Sequence, residues 1–228
     1  MTRKLYDLCA EDAGVRFSPF CWIAKFALLH KGLEFEAPPL RFTEKQNYPD
    51  PDYGKLPMLE DGGALIKDSA EIIAYLEKTY PEKPFFRSDG ERAMHQFLGA
   101  FLGAHLFPSL GPLLFARVHG AISPEDQAYF RQTREERFGV TLEALAAKPG
   151  LRDGVEAALA TLAAPLSENQ FYGGAAANLS DYQLASILMW RRSVAGDDLY
   201  ETPKPVEAWF ERMLDLFDGY ARSAPRAV

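Results

Sequence analysis

The stretch Lys55-Leu56-Pro57-Met58-Leu59-Glu60-Asp61-Gly62-Gly63-Ala64-Leu65-Ile66-Lys67-Asp68-Ser69-Ala70-Glu71-Ile72-Ile73-Ala74-Tyr75-Leu76 decides how this chain folds. Two short apolar runs, residues 55–59 and 64–66, flank Glu60-Asp61-Gly62-Gly63, a segment with the length and chemistry of a β-hairpin turn. The spacing predicts two antiparallel strands. Ser69 then stands where an N-cap belongs, ahead of a helix over 70–78 whose core face is Ile72, Ile73 and Leu76.

Upstream, Leu5-Tyr6-Asp7-Leu8-Cys9 has the pattern of a short strand, and Ser18-Pro19 opens a helix that runs to Lys31 and stops at Gly32. A second strand is expected over 33–39. Residues 42–54, polar and holding Pro49 and Pro51, read as a loop or broken helix. The order is therefore βαβ followed by ββα. Downstream the text changes. Residues 80–90 carry Pro81, Pro84 and Asp89-Gly90 and form the linker, with the boundary near residue 85. Beyond it the chain reads as helix: 91–119, with Phe97, Phe101, Leu102 and Leu106 at three-to-four spacing and a kink expected at Pro108, then 124–148, 151–164, 179–193 and 205–220. The expectation is an α+β protein of two domains, 1–82 and 91–228, joined by 83–90, the second an all-α helical bundle.

Composition limits the function classes. The 228 residues are 47% hydrophobic and 25% charged, too apolar for a disordered chain. Twenty-five Lys and Arg against 32 Asp and Glu give a net charge of −7, which argues against a broad nucleic-acid footprint. Cys9 and Cys21 are the only cysteines, too few for a disulfide framework, and His30, His95, His105 and His119 show no ligand spacing, so no metal site is expected. The start, MTRKLYDLCAEDAG, has charges before any apolar run of signal-peptide length, and no stretch approaches the length of a membrane span, so a cytoplasmic protein with no membrane partner is expected.

Three places could carry chemistry. Ser18 precedes a helix, where backbone N–H groups and the helix dipole favour a bound thiolate or carboxylate and the hydroxyl adds a donor; an ordinary N-cap has the same pattern. With Cys21 it makes the spacing of a CxxC motif whose first cysteine is serine, so dithiol chemistry is excluded and Cys21 reads as a small buried hydrophobe. Leu56-Pro57 ahead of a strand could present the Leu56 backbone to an extended peptide. Asp68-Ser69 marks a second helix start, where a hydroxyl and backbone N–H groups could hold a carboxylate and Asp68 could pair with an ammonium group; capping is again the plain alternative.

Taken in order, Ser18-Pro19-Phe20, residues 55–59 and residues 68–76 resemble the glutathione-binding domain of the soluble glutathione transferases. Phe171-Tyr172-Gly173-Gly174 followed by Asn178-Leu179-Ser180-Asp181 is similar to that family's buried helix start, with Asn178 as N-cap and Asp181 at N3. Ser18-Pro19 with Trp22, Ala27-Leu28, Lys31-Gly32, Asp68-Ser69, residues 77–81 and Lys83-Pro84 looks most like the serine-type bacterial β-etherases and their fungal relatives. Asp68 departs from the glutamate commoner in the superfamily, and residues 42–53 match no motif of it.

The resemblance implies a thioredoxin-like first domain, a helical second one and a homodimer. It implies glutathione as co-substrate: Leu56 pairing its backbone with the cysteinyl part, Pro57 cis, Asp68 and Ser69 on the γ-glutamyl end, Lys55 on the glycyl carboxylate, and Ser18 donating to the sulfur as the catalytic group. A hydrophobic, aromatic electrophile would bind where the domains meet, with Phe20, Trp22, Phe97, Phe101 and His105 on the substrate side; core or dimer contact is the other reading of that helical stripe. The activity expected is glutathione transfer, with β-aryl ether cleavage as its finer form. The alternatives are a glutathione-dependent isomerase or dehalogenase, or a non-catalytic binding or assembly module.

Overall fold

The structure is a computed structural model that describes residues 3–228. Its first part follows the expected order: β1 (Arg3–Leu8), α1 (Pro19–Lys31), β2 (Phe35–Glu36), β3 (Pro39–Leu40), β4 (Met58–Asp61), β5 (Ala64–Lys67) and α2 (Ser69–Thr79). The strands lie in the order β2-β1-β4-β5, with β3 also paired to β1. The single strand expected over 33–39 is thus two pieces. Both run parallel to β1 in one register, Arg3 opposite Phe35 and Asp7 opposite Pro39, and Pro38 and Pro39 interrupt the ladder because neither has an N–H to give. The β4–β5 hairpin turns on Gly62 (φ 59°) and Gly63 (φ 88°), the pair of positive φ values that a tight two-residue turn needs.

The cap of α2 corrects the sequence reading. Asp68, not Ser69, is the N-cap: its Oδ1 accepts the Ala70 N–H at 2.9 Å, and Ser69 is the first helical residue. Helix α1 is buried on almost every side, packing on α2 and on the second part of the chain. Its end is fixed by Lys31, whose ammonium reaches Glu77 of α2 at 2.6 Å and the Lys83 carbonyl at 2.8 Å. Gly32 is required there. It sits at φ 71°, and a Cβ would stand 2.8 Å from Lys83 Nζ.

The second part is helical: α3 (Asp89–Phe101), a π-helical turn at Leu102–Leu106, α4 (Phe107–Ala121), α5 (Pro124–Phe138), α6 (Leu142–Ala146), α7 (Leu151–Leu166), α8 (Leu179–Val194) and α9 (Lys204–Gly219). Leu98, Leu102, Leu106, Leu110, Leu114 and Val118 are all buried and recur every four residues. An α-helix turns by about 100° per residue, so such a stripe drifts by about 40° a step. The π turn takes up part of that drift. The break in regular geometry falls directly before Pro108 in the first turn of α4, on the turn that holds Ala104, whose carbonyl a proline four residues on cannot bond. The run Asp89–Ala121 also corrects the expectation about apolar length: it holds an 18-residue window of mean hydropathy 1.5, enough by length and composition to cross a membrane. Here its leucine stripe forms the core of the helical part.

Two other helices differ from the spacing-based expectation. The helix expected over 124–148 is two, because Gly139 takes φ 70° and Thr141 caps a new start through Ala144 N–H at 3.2 Å. The helix expected over 205–220 loses helical geometry at Leu216, Phe217 and Asp218.

Two polar contacts knit the parts, and a third secures the helical part from within. His30 Nε2 meets the Pro84 carbonyl at 3.2 Å, which accepts only, so Nε2 carries the proton and Nδ1 accepts the Tyr182 hydroxyl at 2.8 Å. Asp126, fully buried at the start of α5, accepts the Phe42 and Thr43 N–H groups at 3.2 and 2.9 Å and the Thr43 hydroxyl at 2.8 Å. The third is the start of α8. Asp181 accepts the N–H groups of Asn178, Tyr172 and Gly173 at 3.0, 2.8 and 3.1 Å and the Trp209 indole at 2.9 Å, while Asn178 Oδ1 caps Ser180. Burial raises the Asp181 carboxyl above its ordinary value against the pull of those four donors.

Replacing Asp181 by alanine leaves four donors without their acceptor and is expected to cost about 3–5 kcal/mol, against about 1 kcal/mol for Asn178→Ala, as read from urea denaturation. Burial lowers the His30 pKa below its ordinary 6.5, so the unfolded chain takes the proton first. The His30 contribution is present above that value and is lost as pH falls through the lower folded one. Melting curves from about pH 8 to about pH 5 are expected to fall less steeply with acid for His30→Gln than for the parent protein.

Candidate functional site

One end of the sheet gathers the candidate residues. Met58, at the start of β4, lies opposite both Tyr6 near the end of β1 and Lys67 at the end of β5. The peptide before β4, the residues after β5 and the chain leaving β1 toward α1 therefore emerge at the same end. The N-terminus of α1 comes back to it, since the Cys21 thiol stands against the Leu8 backbone N–H.

Ser18 is the N-cap of α1 and only 5% exposed. Its Oγ accepts the Cys21 N–H at 3.4 Å, which uses a lone pair and leaves the hydroxyl proton for an incoming acceptor. Burial raises the Cys21 thiol far above its ordinary value and the Cys9 thiol to about 11, the reverse of what a reactive thiol needs. A redox role for Cys21 therefore has no support in its surroundings.

The Leu56–Pro57 bond is cis. Among the described residues the Leu56 N–H and C=O have no backbone partner, whereas the Pro57 carbonyl accepts the Asp68 N–H at 3.2 Å. An unpaired donor and acceptor on adjacent backbone groups are what an extended peptide would complete. Asp68 takes φ 76°, a conformation costly for a side chain with a Cβ, and its Oδ2 accepts the Tyr53 hydroxyl at 3.5 Å. Ser69 beside it is buried, with its hydroxyl at the first turn of α2. Lys55 is exposed. Lys45, half-buried on a 3-10 turn in the loop after β3, is a second cation near this end: its Nζ comes within 3.6 Å of the Cβ position of Gly54 and stands 4.9 Å from the Tyr129 ring. Asp126 holds that loop by its Phe42 and Thr43 amides. No sequence motif had pointed to Lys45 or Asp126.

Ser18 is flanked by an aromatic circuit. Phe17 meets Phe42 (6.0 Å between centroids), Phe42 meets Phe130 (5.5 Å), Phe130 meets Phe115 (6.2 Å), Phe115 meets Trp190 (5.8 Å), Trp190 meets Phe107 (6.2 Å), and Phe107 stacks on Phe20 (6.3 Å). The circuit begins and ends on the two neighbours of Ser18-Pro19. Phe20, expected on the substrate side, belongs to it and is 54% exposed. Trp22 does not: it is 1% exposed, with its indole N–H on the Arg16 carbonyl at 2.7 Å. Phe101 and His105 pair with each other at 4.8 Å on the first long helix, and Phe97 is 67% exposed on α3. Among the described residues no three His, Cys, Asp or Glu side chains gather as a metal site.

Comparison with known proteins places this arrangement. The N-terminal domain model of glutathione S-transferase matches residues 13–84, and the C-terminal domain model matches residues 93–220. Glutathione S-transferase Z2 of Arabidopsis thaliana is 32% identical over 110 residues, 45% of this chain and 49% of that one, and the zeta-class glutathione S-transferase of Euphorbia esula is 26% identical over 149 residues, 62% and 63%. The chain thus aligns with less than two thirds of the length of either relative. Among solved structures, glutathione transferase GSTFuA3 of Phanerochaete chrysosporium superposes with a TM-score of 0.75 at 25% identity, covering 96% of this chain and 92% of that one. The β-etherase LigF of Sphingobium sp. strain SYK-6 superposes with a TM-score of 0.66 at 18% identity, covering 96% and 97%, a likeness of fold. With a sheet and two helix starts that match the first domain model, and a helical part that matches the second, the chain belongs to the glutathione S-transferase family.

Proposed function

We propose that the protein is a glutathione-dependent transferase that readies the glutathione thiolate for attack on a hydrophobic, aromatic electrophile. The observation that carries this reading is the convergence, at one end of the sheet, of an unpaired Leu56 backbone, the strained Asp68 with Ser69, and the Ser18 hydroxyl. Each fits a different part of a γ-glutamyl tripeptide. Leu56 would take the cysteinyl backbone, Asp68 the ammonium, Ser69 and the α2 N-terminus the γ-glutamyl carboxylate, and Lys55, with Lys45 as the second cation, the glycyl carboxylate.

Ser18 would donate its proton in a hydrogen bond to the sulfur, with the α1 dipole behind it. A free thiol, with a pKa of about 8.5, is mostly protonated at neutral pH, and each unit of depression corresponds to about 1.4 kcal/mol in favour of the thiolate. The sulfur then attacks the electrophilic carbon and the leaving group departs with the bonding pair. For an aryl ether the leaving group is a phenolate, which takes a proton from water; this is the finer activity we propose, and the aromatic circuit beside Ser18 supports it. We further propose residues 1–82 as the glutathione-binding unit and 91–228 as the helical unit, a cytoplasmic location and a homodimer. Phe97 and Met94, exposed on α3, offer apolar surface for that dimer.

Titrating bound glutathione by its thiolate absorbance is expected to give an apparent pKa about one unit higher in Ser18→Ala than in the parent, with a fall of about tenfold or more in kcat/KM at neutral pH and a loss of stability of about 1 kcal/mol, that of the α1 cap. Glutathione that fails to bind the parent protein would remove the reading altogether. Phe20→Ala is expected to raise KM for an aryl electrophile several-fold and to leave glutathione affinity and stability within about 0.5 kcal/mol of the parent, since the side chain is half exposed.

A further inference from the structure

Ser18 is reached by a short loop whose last residue is fastened from several sides. Between β1 and α1 the chain folds back on itself: Cys9 and Arg16 form an antiparallel bridge, the Ala10 N–H donates to the Val15 carbonyl at 2.9 Å, and the Gly14 N–H donates to Asp12 Oδ1 at 2.8 Å. The helical part holds this loop as well, because the Glu11 N–H reaches the carbonyl of Ala121, the last residue of α4, at 3.0 Å. The chain is thereby delivered to residue 16 at a fixed place, two residues ahead of Ser18.

Arg16 is the point of attachment. Its carbonyl accepts two donors, the Trp22 indole N–H at 2.7 Å and the hydroxyl of Ser193 on α8 at 2.9 Å. Its guanidinium is tied to Asp7 of β1 at 3.2 Å and to the Ala13 carbonyl at 2.7 Å. The two donors to the carbonyl are not equivalent. A hydroxyl has one proton, and Ser193 Oγ stands 2.8 Å from the Met189 carbonyl too, so that proton is divided between two acceptors; the indole N–H has no second acceptor among the described residues. Both Trp22 and Ser193 are buried.

Trp22 also grips the far side of Ser18. Its backbone N–H donates to the Ser18 carbonyl at 3.0 Å, while its ring packs on Phe26 at 5.7 Å and on Tyr220 at 6.2 Å. One packed residue therefore holds the carbonyl two positions before Ser18 and the carbonyl of Ser18 itself. Phe17, between them, is buried, and the Cys21 N–H meets Ser18 Oγ from the same helical turn. The backbone that carries the hydroxyl has no free end on either side. A donor held in place before charge develops needs no reorganisation when it does, and a misplacement of about 1 Å in a reacting group can cost up to about a hundredfold in rate.

We propose that Trp22 is a positioning residue for the sulfur donor: its indole, with Ser193 as the second donor, fixes the Arg16 carbonyl and so sets where the Ser18 hydroxyl meets the glutathione sulfur. This rests on the reading of Ser18 given above. It makes the thiolate depend on α8, and hence on how the helical part seats against the sheet.

Trp22→Phe keeps an aromatic ring and removes the N–H. Titrating the thiolate absorbance of glutathione bound to this variant is expected to give an apparent pKa about half a unit above the parent's, equivalent to about threefold less thiolate at acid pH, with KM for glutathione within about twofold of the parent's. The deficit in kcat is expected to close by about pH 9, where the thiol ionises unaided. Ser193→Ala, which loses only a hydroxyl, is expected to give a smaller rise of the same sign. The two together are expected to approach Ser18→Ala, because no side-chain donor then remains on the Arg16 carbonyl. Circular dichroism checks that each variant is folded, and if Trp22→Phe is not, Ser193→Ala decides. A role confined to core packing would lower the melting temperature and leave the pKa of bound glutathione at the parental value; that result overturns the proposal, as does a raised KM without a raised pKa. An unchanged pKa in Ser18→Ala removes the donor reading and this one with it, whereas a raised pKa in Ser18→Ala beside parental values in the folded Trp22 and Ser193 variants overturns this proposal alone.

Discussion

Helix α1 has almost no solvent side, and the rest of the molecule is arranged around that fact. Pro19, Cys21, Trp22, Ile23, Ala24, Lys25, Phe26, Ala27, Leu28 and Lys31 are all buried, so the usual division into a wet and a dry face is missing. Burying each of the large apolar side chains stabilises by about 1.5–3 kcal/mol, but the two lysines would reverse much of that gain if they stood alone. Each has an acid waiting. Asp7 on β1 meets Lys25, and Glu77 on α2 meets Lys31, so the need to neutralise α1 ties it to the sheet at one point and to α2 at the other. The remaining side is closed by α8, through Tyr182 stacked on Phe26 and bonded to His30. A helix held on every side has a fixed first turn, and Ser18 inherits that fixity.

The polar and apolar halves of the candidate site draw on different structural resources. The polar half is made of backbone: an unpaired Leu56, an Asp68 in a costly conformation, and two helix starts with N–H groups to offer. Such groups are positioned by the fold and need no side-chain entropy to be lost on binding. The apolar half is made of rings from the chain before α1, the loop after β3, α1 itself, and α4, α5 and α8. It depends on how the helical part sits on the sheet. Asp126 fixes one part of that arrangement, because the loop amides it holds belong to Phe42, a member of the circuit, and to its neighbour Thr43.

What could be read in the chain was what depends on near neighbours. The Gly62-Gly63 turn, the α1 start at Ser18-Pro19 and the Asn178–Asp181 cap all rest on residues within a few positions of one another. Errors arose where two local solutions compete. Asp68 and Ser69 both suit an N-cap, and the choice went to the residue that also tolerates positive φ. Residues 124–148 have helical composition throughout, but Gly139 and Thr141 supply a stop and a new cap that a charged, exposed stretch has no packing to override. The aromatic circuit, Lys45 and Asp126 lay beyond reach for another reason: their partners come from far along the chain, and phenylalanine spacing on one helix carries no information about the ring it will face. Trp22 shows the same limit, since nearness to Ser18 in sequence says nothing of its burial or of the Arg16 carbonyl that takes its indole N–H.

The sheet ends on two strands that have little to offer a stranger. On one side the edge is broken into two-residue pieces by Pro38 and Pro39, which lack the amide hydrogens a new strand would need. On the other, β5 is four residues long and closes on Lys67, a charge held by Asp50 at 2.8 Å. Neither edge gives another chain a run of backbone groups long enough to extend the sheet. The fold therefore carries its own protection against edge-to-edge aggregation, and it comes from the same residues that interrupt the ladder beside β1 and end the hairpin next to Asp68.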